Sequence, residues 1–433
     1  MATRRQFKKQ AFRILASDEI DIVVVAPHFL PELKKLPDDV LNVTRALNKI
    51  FEARHSGQIL SSPTVVKSVS ADLTPALGRM NDHISEEIYL AMDHCFPPSK
   101  DSFRITAYKA ITEIIAQTSG RIFIGPEHCR NPEYIDHAIN FTKEMTASGE
   151  AIKKLKPWVR PFLSSRLPEV QKVQQRREAV SKFFAPIIKE RLESQEKHDD
   201  MMQWMMARDP SADLATRVVQ QLGLTFAAIH TTSIMATNVL YSLAATPEYQ
   251  APLREEIRSV LADNGGRVTP LALQKMFKLD SYMKEVNRWY PTTMTTFRRY
   301  VQKPFVLSNG QVIPAGVLIE APSDALNFDA DIHKDPYTFD GFRFYKAREN
   351  ADAVKIARSQ FVATNEDDIR WGLGKHACPG RFFAANEIKI ILARLLLEYD
   401  IAMPDGLTER YKQIEFEKNI VPDPTKELLF KKI

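Results

Sequence analysis

The ten residues Trp371 to Gly380 read WGLGKHACPG. A cysteine stands there behind two glycines and ahead of a Pro-Gly pair that opens a helix. Gly372 and Gly374 permit backbone angles closed to other residues, so the chain can fold into a tight hairpin against a planar surface. Pro379 suits the first position of a helix, where a missing N–H costs nothing. A helix running on from Gly380 aims its positive end and free N–H groups at the sulfur and favours its ionised form. Basic Lys375, His376 and Arg381 add to that field. The pattern fits a thiolate presented to a large flat cofactor.

A thiolate axial ligand is one way to hold haem iron and to push electron density toward O–O cleavage. The plain reading, Cys378 as a small buried hydrophobe, does not account for the glycines and the Pro-Gly pair. A zinc site at His376 and Cys378 lacks further residues at ligand spacing nearby.

Working outward, the chain has 433 residues, 44% of them hydrophobic, enough for a large core. No linker, repeat or low-complexity tract divides it, so the expectation is one domain over residues 1–433. Its three cysteines, Cys95, Cys129 and Cys378, argue against a disulfide framework. No apolar run is long enough to span a bilayer. The basic residues Arg4, Arg5, Lys8, Lys9 and Arg13 precede the first acid, Asp18, and read as a solvated face. A net charge of +5 suits an acidic partner surface and, spread over the whole chain, excludes nucleic acid.

Ile20 to Val25 reads as a buried strand, and helical periodicity dominates from Asp38 to Tyr290. The longest helix starts near Ser211 and ends before Pro247. A hairpin follows, with Asn309-Gly310 turning between Phe305–Leu307 and Gln311–Ile313. A further short strand covers Val317–Glu320. After the cysteine, apolar residues at Phe382, Ala385, Ile388, Leu392, Leu395 and Leu396 keep helical spacing. The fold class is therefore mainly α with a small β-rich side, α+β.

Two further segments carry chemistry. Glu285 and Arg288 lie three apart and share a helix face. Alone they read as a surface ion pair of little worth, but FDGFRF (Phe339–Phe344) supplies Arg343 for a buried Glu–Arg–Arg network. In the long helix, AAIHTT (Ala227–Thr232) sets small residues before two hydroxyls. A mid-helix threonine can bond the carbonyl four residues back, here that of Ala227, and bend the helix. Small side chains leave room there for a diatomic ligand, and Thr231 is placed to relay protons to it. Taken alone, AAIHTT reads as ordinary helix packing.

With AAIHTT, EVNR (Glu285–Arg288), TFRRY, FDGFRF and WGLGKHACPGR in this order, the chain resembles the haem-thiolate monooxygenase family, cytochrome P-450. It is similar to fungal members that oxidise terpenoids and related secondary metabolites, the ent-kaurene oxidases among them. The resemblance implies haem b with Cys378 as its iron ligand, His376 and Arg298 on the propionates, and Trp371, Gly372, Gly374 and Gly380 around the ring. It implies Glu285, Arg288 and Arg343 as a structural triad and Thr231, beside His230, at the site of oxygen activation. Ala227, Ala228, Thr292, Thr293, Thr296, Phe297, Ile420 and Val421 match segments that line the substrate pocket. It further implies a hydrophobic small-molecule substrate, electrons from NADPH through a cytochrome P-450 reductase, with cytochrome b5 as a second donor, a monomer, and a place on the cytosolic face of the endoplasmic reticulum.

Four positions depart from the family pattern. Trp371 stands in place of phenylalanine, Ala228 in place of glycine, and His230 in place of an acid. The N-terminus shows no hydrophobic anchor or proline-rich hinge, which leaves a soluble or peripheral protein open, and no helix offers the usual Trp and Arg to the propionates. His230 keeps open an isomerase or dehydratase that does not use O2. The short N-terminus keeps open a truncated haem-binding pseudoenzyme. Retained Thr231 speaks against the first, and the intact cysteine loop and triad against the second.

Overall fold

The computed structural model describes residues 9–15, 21–56, 62–99, 101–194 and 196–433. Arg4, Arg5, Lys8 and the predicted strand start at Ile20 lie outside them.

Helices dominate, as the periodicity requires. Those that build the site are α1 (Thr74–Cys95), α2 (Ala107–Ile124), α3 (Pro132–Lys153), α4 (Pro168–Glu193), α5 (Leu214–Ala245), α6 (Phe277–Trp289) and α7 (Arg381–Glu398). Helix α5 is the 32-residue helix expected between Ser211 and Pro247. It begins where the Asp213 carboxylate accepts from the Thr216 amide at 2.8 Å, a side-chain cap for an orphan N–H. It ends before Pro247, which cannot continue a helix. Apart from a stripe discussed below, α5 is apolar or buried nearly all round, the mark of a central helix. Helices α2, α3, α4, α6 and α7 pack against it, and α1 against α2 and α7, in one large apolar core.

The strands lie to one side. β1 (Phe12–Leu15), β2 (Asp21–Val24), β3 (Leu41–Asn42), β5 (Thr295–Val301) and β8 (Leu318–Pro322) form a five-stranded sheet in the order β1-β2-β8-β5-β3, with β2 and β8 parallel. β4 (Phe103–Thr106) joins a separate sheet below. The predicted hairpin is present as β6 (Phe305–Val306) and β7 (Val312–Ile313), with Gly310 at φ 85° in the turn. Near the C-terminus, β12 (Glu427–Lys432) pairs with β4 and with β9 (Tyr399–Ala402). β10 (Gln413–Phe416) and β11 (Asn419–Pro422) make a last hairpin. Val23, Leu41, Phe297, Val301 and Ile319 close a second core under the large sheet.

The sheet also shows how the cysteine segment is carried. Helix α6 delivers the chain to β5, β8 returns it, and residues 328–370 wander back across α6 before the loop at Trp371. Among the described residues, no helix is long and apolar enough to cross a membrane.

Candidate active site

The cysteine loop folds as its glycines demand. Gly372 and Gly374 take φ of 77° and 69°. A β-carbon on Gly372 would lie 3.1 Å from the His376 carbonyl oxygen and 3.3 Å from the Ala377 Cα, so both conformation and space select glycine. The Cys378 amide donates to the Trp371 carbonyl at 2.6 Å and closes the hairpin. Gly380 caps α7. The amides of Gly380 and Arg381 point at the Cys378 sulfur. Burial raises the thiol pKa, while those two amides and the Arg381 charge pull it down. A half-buried sulfur so served by N–H donors is set up for an electron-rich state that a metal would complete. Trp371 packs edge-on to Phe361 at 5.4 Å and donates from Nε1 to the Phe361 carbonyl at 2.9 Å.

Opposite the loop runs α5. The Thr231 hydroxyl donates to the Ala227 carbonyl at 2.6 Å, the back-bond foreseen from the sequence. The helix nevertheless continues as α through the back-bond. Ala227 and Thr231 are exposed in the middle of an otherwise buried helix, one turn apart on one face, and Ala228 is partly open. That stripe opens inward. Thr231, Thr292, Trp371, Ala384 and Ile388 share a void of about 60 Å³, so α5, α7 and the cysteine loop face one another.

His230 points elsewhere. Successive helix residues are about 100° apart, and the imidazole is buried between α2 and α3. Its Nε2 donates to the Ile139 carbonyl at 2.7 Å, and its Nδ1 accepts from the Tyr108 hydroxyl at 2.8 Å. A carbonyl can only accept, which fixes the tautomer. Burial lowers the pKa, so the ring is neutral. His230 lines a different cleft, of about 1110 Å³, together with Tyr108, Asp136, Lys143 and Val421. The sequence had paired His230 with Thr231 in one relay; the structure separates them. Val421 lines the same cleft as His230 and not the void at Thr231.

The other pocket residues divide. β11 reaches the segment after α6, where the Ile420 amide donates to the Thr292 carbonyl at 3.0 Å. The Thr293 hydroxyl donates to the Lys418 carbonyl at 3.0 Å. The Thr296 hydroxyl is buried without a partner. Phe297 is 3% exposed and belongs to the core under the sheet, not to a pocket wall.

Phe297 also explains a second correction. It sits at φ 53° in a bulge, where the β5–β8 register shifts between Thr296 and Arg299. A bulge re-aims the side chains after it. Arg298 turns toward Thr293, whose hydroxyl accepts from it at 2.7 Å. Arg299 turns toward the cysteine loop, where its charge acts on His376 and Asp38. It is 7% exposed, donates to its neighbour's carbonyl at 2.9 Å and lies 4.3 Å over the Phe297 ring, and burial lowers its pKa to about 10. One acid, Asp38, serves this corner. It accepts from His376 Nε2 at 2.8 Å and from Lys375 at 3.0 Å. Burial lowers the His376 pKa and leaves that ring neutral, so Arg299 and Lys375 around one acid make this corner cationic and able to take further carboxylates.

The triad residues meet. Glu285 and Arg288 are both 0% exposed, joined by bonds of 2.7 and 2.8 Å, and Arg343 reaches both carboxylate oxygens at 3.2 Å. Arg288 also donates to the carbonyls of Asn327 and Pro336, and the Asp340 amide donates to Glu285. The network therefore staples α6 to the wandering segment. Lys389, a lone charge in the apolar run of α7, is 7% exposed and bonded to Asp280 at 2.7 Å. Its place among Ile388, Ile390 and Ile391 on α7 is the signal that was there to read.

Comparison with known proteins decides the family. The cytochrome P-450 family profile matches residues 67–430. This chain belongs to the cytochrome P-450 family. It is 36% identical to the cytochrome P-450 monooxygenase ATR3 of Stachybotrys chlorohalonatus, over 95% of this chain and 89% of that protein. It is 35% identical to the cytochrome P-450 monooxygenase TES1 of Alternaria alternata, over 99% of this chain and 82% of that one. The fold matches a cyanobacterial P-450, CYP120A1 solved with retinoic acid bound, at a TM-score of 0.73 and 15% identity, covering 100% of this chain and 93% of that one. The chain is thus a P-450 monooxygenase with fungal relatives, and its cofactor is haem b. The residues fit that cofactor: a sulfur backed by amide donors, a buried arginine in a cationic corner, and Thr231 of α5 across a shared void from Trp371 of the cysteine loop.

Proposed function

We propose that this chain inserts one oxygen atom from O2 into a hydrophobic secondary metabolite of the terpenoid type, using electrons delivered by an NADPH–cytochrome P-450 reductase. The observation that carries the reading is the apposition of two features: the amide-backed Cys378 loop and the open Ala227–Thr231 stripe of α5.

In this reading Cys378 ligates the iron, and Arg299 with His376 holds the propionates, Arg299 replacing Arg298. Haem, when bound, supplies the site for O2 reduction and oxygen transfer. The chain supplies the rest. The amides of Gly380 and Arg381 offset part of the burial that favours the neutral thiol, and so would support the anionic sulfur that iron binds. Ala227 and Ala228 leave space above the ring. Thr231 donates its one hydroxyl hydrogen to the Ala227 carbonyl, so Oγ1 presents its lone pairs toward that space and would pass its proton there only by giving up that bond. Thr292 and Ile420, with the unpartnered Thr296 hydroxyl, contribute a mostly apolar wall with few polar handles, as small-molecule sites have.

The test is direct. Purified protein, reduced under carbon monoxide, should show the long-wavelength band of thiolate-ligated haem. A panel of terpenoids should then be screened for spectral shifts. A binding substrate should be converted with one atom of ¹⁸O2 incorporated per product, only with reductase and NADPH. Conversion without O2 would replace this reading with the isomerase or dehydratase.

A further inference from the structure

We propose that Asp280 is a positioning residue that sets where the Cys378 loop sits, through a second buried charge network separate from the triad. The proposal rests on the reading of Cys378 as the haem ligand.

Asp280 lies on α6, 6% exposed, and its carboxylate is fully engaged. One oxygen accepts from Lys389 on α7 at 2.7 Å. The other accepts from Arg348 at 2.8 Å and from the Phe361 amide at 2.9 Å. From Phe361 the line of hydrogen bonds continues. The Phe361 carbonyl accepts from Trp371 Nε1 at 2.9 Å, and the Trp371 carbonyl accepts from the Cys378 amide at 2.6 Å. Three successive bonds thus lead from the Asp280 carboxylate to the backbone of the sulfur-bearing residue. On the far side of Cys378, α7 is tied to the same carboxylate through Lys389. The cysteine is referenced to Asp280 from both directions.

A second acid doubles the frame. Asp368 accepts two bonds from Arg370, at 2.7 and 2.6 Å, and contacts Lys284 of α6 at 2.9 Å. Lys284, 2% exposed, spends its other donors on the carbonyls of Arg358 and Gln360 at 2.7 and 2.9 Å. Arg370, the residue before Trp371, also donates to the Lys284 carbonyl at 2.9 Å. The triad holds residues 327–343; this network holds residues 348–371 and α7. Bidentate, buried, backbone-anchored pairs fix geometry more than they add net stability.

The experiment uses haem-loaded protein. Asp280→Asn and Lys389→Met are compared with wild type, with Lys389→Arg as the conservative variant. Asp200→Asn serves as control, because it breaks a similarly buried pair with Arg191 that holds the Ile124 carbonyl and no part of the loop. The readouts are the rate at which the thiolate band of the reduced carbon monoxide complex converts to the shorter-wavelength band of a neutral thiol, and amide exchange over residues 361–378. Asp280→Asn and Lys389→Met should convert at least tenfold faster and exchange faster over 361–378, with 327–343 unchanged. Lys389→Arg should restore most of the wild-type rate. Equal conversion rates in wild type and Asp280→Asn, or the same acceleration in Asp200→Asn, would overturn the proposal. Should Asp280→Asn fail to fold, Lys389→Met with its Arg rescue carries the same test. Wild type lacking the thiolate band would instead overturn the ligand reading, and the exchange measurement would still decide the network.

Discussion

The two walls that face each other across the site are built on opposite plans. On the cysteine side, Glu285, Asp280 and Asp368 bind cations and backbone amides on three segments, and the loop hairpin is locked by glycines at positive φ. On the α5 side, Ala227 and Thr231 lie open, and the Thr231 hydroxyl bonds only its own helix. In the proposed reading, one wall is over-determined because a metal ligand must not wander, and the other is left under-filled because small molecules must come and go there. The difference forecasts how each wall fails: the first by losing structure or cofactor, the second by losing chemistry in an intact protein.

The sharpest break is Cys378→Ser. A hydroxyl is a far weaker anion donor at neutral pH than a thiol, so the thiolate band of the reduced carbon monoxide complex should vanish altogether. A variant that kept the band would remove Cys378 from the ligand position. Next comes Arg288→Ala, which leaves Glu285 buried beside half its partners. Loss of one member of a buried pair costs about 3–5 kcal/mol. The protein should be recovered misfolded or free of haem, as judged by the haem-to-protein absorbance ratio.

Thr231→Ala attacks the open wall. Positioned proton transfer contributes about a hundred- to ten-thousand-fold, so product per NADPH should collapse and hydrogen peroxide rise. Haem content and substrate-induced shifts should stay at wild-type level. Equal coupling in both proteins would relieve Thr231 of its role.

A smaller effect separates the two arginines of β5. Arg299→Leu should weaken haem retention by about 1.5–3 kcal/mol, the worth of a hydrogen bond to a charged group. Arg298→Leu should cost less, which haem transfer to apomyoglobin would measure. The reverse order would return Arg298 to the propionates.

The smallest concerns Glu387 on α7. It is fully buried, with a Ser119 hydroxyl at 3.1 Å and its other oxygen unpartnered; burial raises its pKa to about 8. The unfolded side chain ionises near 4.5. Between pH 4.5 and about 8 the native state holds a proton that the unfolded state has lost, so stability falls as pH rises through that window. Glu387→Gln should flatten this part of the curve, seen in melting temperatures at pH 5 and pH 8. An unchanged slope would show Glu387 ionised in the fold.

Residues near in sequence told most of what could be read without coordinates. The loop, its cap and the Glu285–Arg288 pair depend on spacings of three to seven residues, and helix and turn geometry fixes what such spacings mean. The positions misread depend on distant partners. Nothing in TFRRY announces the bulge at Phe297, because a bulge is set by the strand opposite. His230 gains its neighbours from α2 and α3, which only packing brings together. Lys389 and Asp280 were missed because a lone charge in an apolar helix reads as surface until its counter-ion is found.

The bond from His230 to the Ile139 carbonyl has a mechanical side. Helix α3 is tied to α5 here by an imidazole that Tyr108 of α2 holds in turn. Sliding α3 along α5 would give up that bond, at about 0.5–1.5 kcal/mol. The bond adds to the packing of the two helices, such as the Phe141–Phe226 ring contact at 6.4 Å, and marks their register one residue from Thr231. The histidine standing where an acid is usual thus serves as a locating pin.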